Sequence, residues 1–191
     1  MTYCHYKELF SRAIEATRSL GLVHGMREFV FPERGVSHDH VGVILGEFIG
    51  DLYRRGLSDS ASLSGNCIQI HDQLFGFMER SGIQAHMTVG SMHGNGWSYC
   101  RTSIDQLKAE LEHPDSFREI EIHTWLTLND GSIIDCTGQA WYDMQIGEVH
   151  PVEKCLVYIP QGNQDPSHYY TPYIVGYDFL YRTGCISRTA I

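Results

Sequence analysis

Cys67, His123 and Asp135 have the types and the order that thiol-based acyl transfer requires. A thiolate attacks carbonyl carbon, an imidazole carries the proton between leaving and entering groups, and a carboxylate fixes the imidazole tautomer. The surroundings of Cys67 suit the first role. It follows Ser64, Gly65 and Asn66 and opens a stretch to Arg80 in which Ile70, Leu74, Phe77 and Met78 recur at helical spacing before Ser81 and Gly82. This periodicity puts the sulfur at a helix N-terminus, where free N–H groups and the positive end of the helix dipole favour thiolate over thiol. Asn66 is the expected N-cap. The Cys67 N–H is one natural oxyanion donor, and a single donor in such sites is commonly worth about 3 kcal/mol. The second donor has no sequence signal.

The elements that must bring His123 and Asp135 together lie in residues 117–138, which read as a hairpin. Ile120, Ile122, Thr124, Leu126 and Leu128 alternate with Glu119, Glu121, His123, Trp125 and Thr127, and Asn129-Asp130-Gly131 turns the chain. His123 and Trp125 therefore share a face. A two-residue loop pairing Asn129 with Ser132 puts Asp135 opposite Leu126, on the wrong face. A three-residue loop with Gly131 left-handed puts Asp135 opposite Trp125 and diagonal to His123. The order Asn, Asp, Gly suits the second register, because glycine takes φ > 0 without steric cost.

Two stretches resemble the transglutaminase-like branch of the papain-like cysteine enzymes. One runs from Gly65-Asn66-Cys67 through Ser81-Gly82-Ile83-Gln84-Ala85 to Val89-Gly90; the other runs from His123-Thr124-Trp125 through Gly131 to Ile134-Asp135-Cys136-Thr137. The first looks like that family's nucleophile helix and following strand, the second like its His-x-Trp and Asp-x-Thr strands. The resemblance implies an α+β fold with the Cys helix packed on an antiparallel sheet that carries His and Asp, and cysteine-dependent chemistry on amide-type bonds. It leaves open peptide hydrolysis, amide hydrolysis and protein cross-linking. Asn66 stands where many such enzymes have an aromatic residue, and Cys136 where they have proline.

Bulk features bound the rest. A chain of 191 residues, 42% of them hydrophobic, can bury the core of one domain. We expect a helical N-terminal cap over residues 1–60 and a catalytic core over 61–191. A net charge of −9 without any run of Lys or Arg argues against a nucleic-acid partner. No apolar span reaches membrane length and the first residues hold no apolar signal core, so a cytoplasmic protein with reduced cysteines, acting on a peptide, protein or small amide without a cofactor, is the expectation. Cys136, next to Asp135, should point to the opposite face and be a small buried residue. Helices are expected at 6–20, 39–55 and 101–112, and strands at 85–89 and 154–159. Residues 160–172 read as a polar loop, and 173–181 as either strand or helix. Gly90 to Gly96 contains three glycines and reads as a mobile loop bordering the cleft. His93, Trp97 and Trp125 are accordingly the candidates for substrate contact, Trp125 also as a shield for the His-Asp pair. The rival to catalysis is an idle binding domain that keeps the scaffold and holds a metal. Cys67 and His71 have i, i+4 spacing, and His38, Asp39, His40, His86 and His93 are further donors, but no Cys-x-x-Cys or His-Glu-x-x-His element supports them.

Overall fold

Alternating apolar residues at 122–128 and 85–89 dictate a sheet with one face for each of two helical layers, and that is the architecture. The computed structural model describes residues 5–22, 29, 31–32, 35–94, 96–114, 120–163 and 169–187. Cys4, Asn95, 117–119 of the expected hairpin and 164–168 of the expected loop lie outside them.

The elements are α1 (His5–Ser19), α2 (His38–Arg54), α3 (Ser60–Leu63), α4 (Cys67–Arg80), β1 (Ala85–Gly94), β2 (Trp97–Tyr99), α5 (Ile104–Glu112), β3 (His123–Leu128), β4 (Ile133–Asp135), α6 (Gly138–Ile146), α7 (Val152–Cys155), β5 (Val157–Ile159), β6 (Tyr169–Val175) and α8 (Asp178–Arg182). The sheet runs β2-β1-β3-β4-β5, with β6 also on β1, and each of these pairings is antiparallel. The fold is α+β. Among the described residues no helix is long and apolar enough to cross a membrane.

Register explains how the site assembles. β1 pairs with β3 from Ala85 to Gly90 and with β2 from Met92 to Gly94, while β6 pairs with Thr88 to His93. Since Thr88 to Gly90 already have β3 partners, and Met92 and His93 have β2 partners, β6 takes one edge of β1, and β2 and β3 lie end to end along the other. That arrangement brings Tyr99 beside His123. Pleating then divides the core. Leu126, Leu128 and Ile134 face α2 and α4, packing with Leu45, Phe48, Ile70, Leu74 and Met78. Trp125 and Ile133 face α1, packing with Tyr6, Phe10 and Ile14. On that side the Tyr6 hydroxyl meets Thr127 Oγ1 at 2.7 Å and accepts from Trp125 Nε1 at 2.8 Å.

Several expectations are corrected. Gly90 to Gly94 is strand, not a mobile loop: β6 and β2 supply backbone partners on both sides, and Gly90, Ser91 and Met92 are buried. Glycine is required at 90 because a Cβ there would strike the Thr171 carbonyl and sit 2.7 Å from the Trp125 ring. β3 begins at His123 rather than Ile120. The strand expected at 154–159 is one turn of helix, α7, followed by β5. β6 reaches into the expected polar loop, and 173–181 is strand and then helix, with Gly176 at φ 95° between them. α6, packed on α3, had no periodic signal because Trp141, Tyr142, Met144 and Ile146 go round the helix rather than along one face.

Candidate active site

The helix that Cys67 opens runs to Arg80, as its periodicity dictates. Asn66 is its N-cap, but the side chain makes no capping bond; it turns back and donates to the Ser62 carbonyl at 3.1 Å. Gly65, at φ 80°, supplies the left-handed step that starts the helix beside β3. Cys67 is 6% exposed, and its thiol donates to the Ile122 carbonyl at 3.8 Å.

The hairpin adopts the three-residue loop. Gly131 has φ 94° and donates to the Leu128 carbonyl, Leu128 donates to the Ser132 carbonyl, and Thr127 and Leu126 pair with Ile133 and Ile134. Asp130 locks this loop by accepting from Ser132 N and from Val36 N, both at 2.9 Å. Asp135 thus shares a face with His123, and His123 Nε2 lies 2.7 Å from Asp135 Oδ2, both residues fully buried.

Asp135 carries more donors than the sequence announces. The Tyr170 hydroxyl donates to Oδ2 at 3.0 Å, and the N–H groups of Thr137 and Gly138, at the start of α6, donate to Oδ1 at 2.9 and 3.0 Å. An anion at a helix N-terminus is stabilised by those free donors and by the dipole. Glycine is needed at 138 because a Cβ there would lie 2.5 Å from Asp135 Oδ2 and 2.6 Å from Met92 Sδ. Burial raises the Asp135 pKa, but the His123 charge and hydrogen bond, with His71 and Thr137, outweigh it and hold the carboxyl far below the usual carboxylate range.

Burial likewise disfavours charge on His123, yet Asp135 and Cys67 more than compensate and lift the imidazolium to about 9. For Cys67, burial pushes the thiol up, while hydrogen bonding and charge from His123, and hydrogen bonding from Thr124, bring it below its ordinary value. Two fully buried polar atoms here, His123 Nδ1 and Thr124 Oγ1, have no hydrogen-bond partner.

The remaining candidates are distributed unevenly. Trp125 is fully buried, 5.7 Å from the His123 ring centroid, and its Nε1 is committed to Tyr6; it shields the pair and contacts no substrate space. Tyr99 lies 4.7 Å from His123 on another side and stacks on Trp141 at 4.4 Å. Trp97, half-buried, stacks on Tyr142 at 5.0 Å and tilts against Trp141, outward of Tyr99. His93 Nδ1 lies 3.0 Å from Ser98 Oγ. Sequence reasoning missed Tyr170 and Tyr99, which strand pairing brings in, and Trp141, which α6 stacks on Tyr99. His71, one of the donors weighed for the rival metal reading, is tied to backbone instead. That ring is fully buried with Nδ1 2.7 Å from the Cys67 carbonyl and Nε2 accepting from Cys136 N at 2.9 Å, so both nitrogens are committed to backbone and neither is available to a metal. His86 packs against Phe10 and Phe29 instead. Among the described residues no three His, Cys, Asp or Glu side chains are grouped to hold a metal ion. Cys136 is buried on the face opposite Asp135.

No family model, curated protein or solved structure matches this chain.

Proposed function

We propose that the chain is a cysteine-dependent amide hydrolase or acyl transferase of transglutaminase-like, papain-like type, with Cys67 as nucleophile, His123 as acid and base, and Asp135 as the group that orients His123. The observation that carries this reading is the buried His123 ring, tied at Nε2 to Asp135 at 2.7 Å, left without a hydrogen-bond partner at Nδ1, and raised in pKa in part by Cys67. Asp135 keeps one proton on Nε2 in every state. The Nδ1 proton is the one that moves. Thiolate attack forms a C–S bond to the carbonyl carbon; collapse breaks the C–N bond, and the amine leaves with the Nδ1 proton, giving a thioester and neutral imidazole. Water or an acceptor amine then loses its proton to Nδ1 as it attacks, and collapse expels the Cys67 thiolate. Hydrolysis is the favoured outcome because water is always available.

A catalytically idle binding domain is the second reading, favoured by the burial of His123 and Asp135 and the 6% exposure of Cys67. Thiol reactivity separates the two. Mass spectrometry after limiting iodoacetamide should find Cys67 modified far ahead of the other five cysteines. Modification at a rate equal to theirs would favour the idle domain.

A further inference from the structure

β4 ends at Asp135, opposite Trp125 and two pairs short of His123, so the edge of β3 beyond that point has no strand beside it among the described residues. Leu128 N–H points to the β4 edge, because it donates to Ser132. By alternation the N–H of Thr124 and the carbonyl of Ile122 point to the same edge. Cys67 occupies that place, its sulfur 3.8 Å from the Ile122 oxygen. Thr124 also shares the sheet face of Leu126 and Leu128, the face on which α4 packs, whereas His123 is on the α1 face. The sulfur is therefore approached from one face by His123 and from the other by Thr124. The Thr124 hydroxyl is completely buried and without a hydrogen-bond partner, an arrangement that costs stability unless another group uses it in some state of the site.

Resting on the proposed cysteine chemistry, we propose that Thr124 is a further catalytic residue, its hydroxyl donating to the Cys67 sulfur when that sulfur is a thiolate. It would hold the nucleophile as thiolate between turnovers, and its bond would form again when collapse of the second intermediate expels the sulfur. The titratable groups around Cys67 leave it little other help. Tyr99, Cys100 and Cys185 are held protonated chiefly by burial, and burial keeps the His71 ring neutral. Asp135 is negative and lies behind His123. Only His123 and Thr124 lower the thiol.

The test is the pH dependence of Cys67 alkylation by iodoacetamide in the whole chain, with Thr124→Val and Thr124→Ser, alongside urea unfolding. Thr124→Val keeps the shape and removes the unsatisfied hydroxyl. We expect it to be at least as stable as the parent while its alkylation midpoint rises by about one pH unit, a roughly tenfold loss of thiolate below that pH. Thr124→Ser should restore the midpoint. A Val variant that unfolds or loses stability would make the hydroxyl structural and overturn the proposal, as would an unchanged midpoint. The parent protein distinguishes the two failures: a lowered parent midpoint that Val leaves untouched removes Thr124 alone, whereas an ordinary thiol midpoint in the parent removes the thiolate site with it.

Discussion

His71 shows how one residue can carry the geometry of a site without touching its chemistry. Donating to the Cys67 carbonyl and accepting from Cys136 N, its neutral ring ties the nucleophile helix to the strand of Asp135. His71→Phe would leave the buried Cys136 N–H without its partner, costing about 1–3 kcal/mol. Urea unfolding should register that loss, and Cys67 alkylation should slow because the helix is no longer pinned. Tyr170→Phe is milder. It removes one of five donors to Asp135 and should leave the fold intact while lowering acyl transfer. The Cys67 and His123 charges should also reveal each other. His123 holds its proton up to about pH 9, partly because of Cys67, so NMR titration of the His123 ring in Cys67→Ala should give a lower value. An unchanged titration would mean that the two groups do not form an ion pair.

At the scale of elements, the loop Asn129-Asp130-Gly131 decides whether His123 and Asp135 meet, since a slip of one residue would turn Asp135 away from His123. With Gly131 at φ 94°, Gly131→Ala should strain the loop by on the order of 1 kcal/mol. The flexible Lys7 side chain, 3.0 Å from an added Cβ, can shift aside, so the backbone is what resists. Activity should fall more than unfolding free energy does. This register was legible because its cause is local: turn chemistry and a period of two specify it within a dozen residues. The Cys67 helix was legible for the same reason. What was not legible depends on distant partners. Gly90 to Gly94 looks like a loop until β6, some eighty residues later in the chain, supplies its second edge. Asn66 looks like a cap until Ser62 offers its side chain an acceptor. Tyr170 carries no motif at all, and only the β1–β6 register delivers its hydroxyl to Asp135.

Over the whole molecule, buried histidines should set the pH range of stability. Burial depresses both His71 and His86 to about 4. Between about 6.5, the value of a histidine in the unfolded chain, and about 4, the unfolded state binds protons that these two rings refuse. Stability should therefore fall as pH falls through that window. His123 has the opposite sign: its raised value of about 9 contributes stability below about 6.5 that is lost as pH rises through 9. Asp135 adds stability above the usual carboxylate range, lost in strong acid. Urea midpoints across pH should peak near neutrality, and His71→Gln should flatten the acid side. A midpoint that does not change between pH 4 and 7 would contradict the burial of these rings.

The claim that Cys67, His123 and Asp135 act as one unit is tested most directly by the rate of Cys67 acylation with p-nitrophenyl acetate in the parent, His123→Ala, Asp135→Asn and the double variant. Cys67→Ala serves as the blank and should take up no acetyl group. Asp135→Asn should cost roughly 10² to 10⁴ by weakening ring orientation, and His123→Ala more. Because the aspartate works through the histidine, the double variant should be hardly slower than His123→Ala alone. Losses that multiply in the double variant would mean that Asp135 acts independently of His123, and the triad would be wrong.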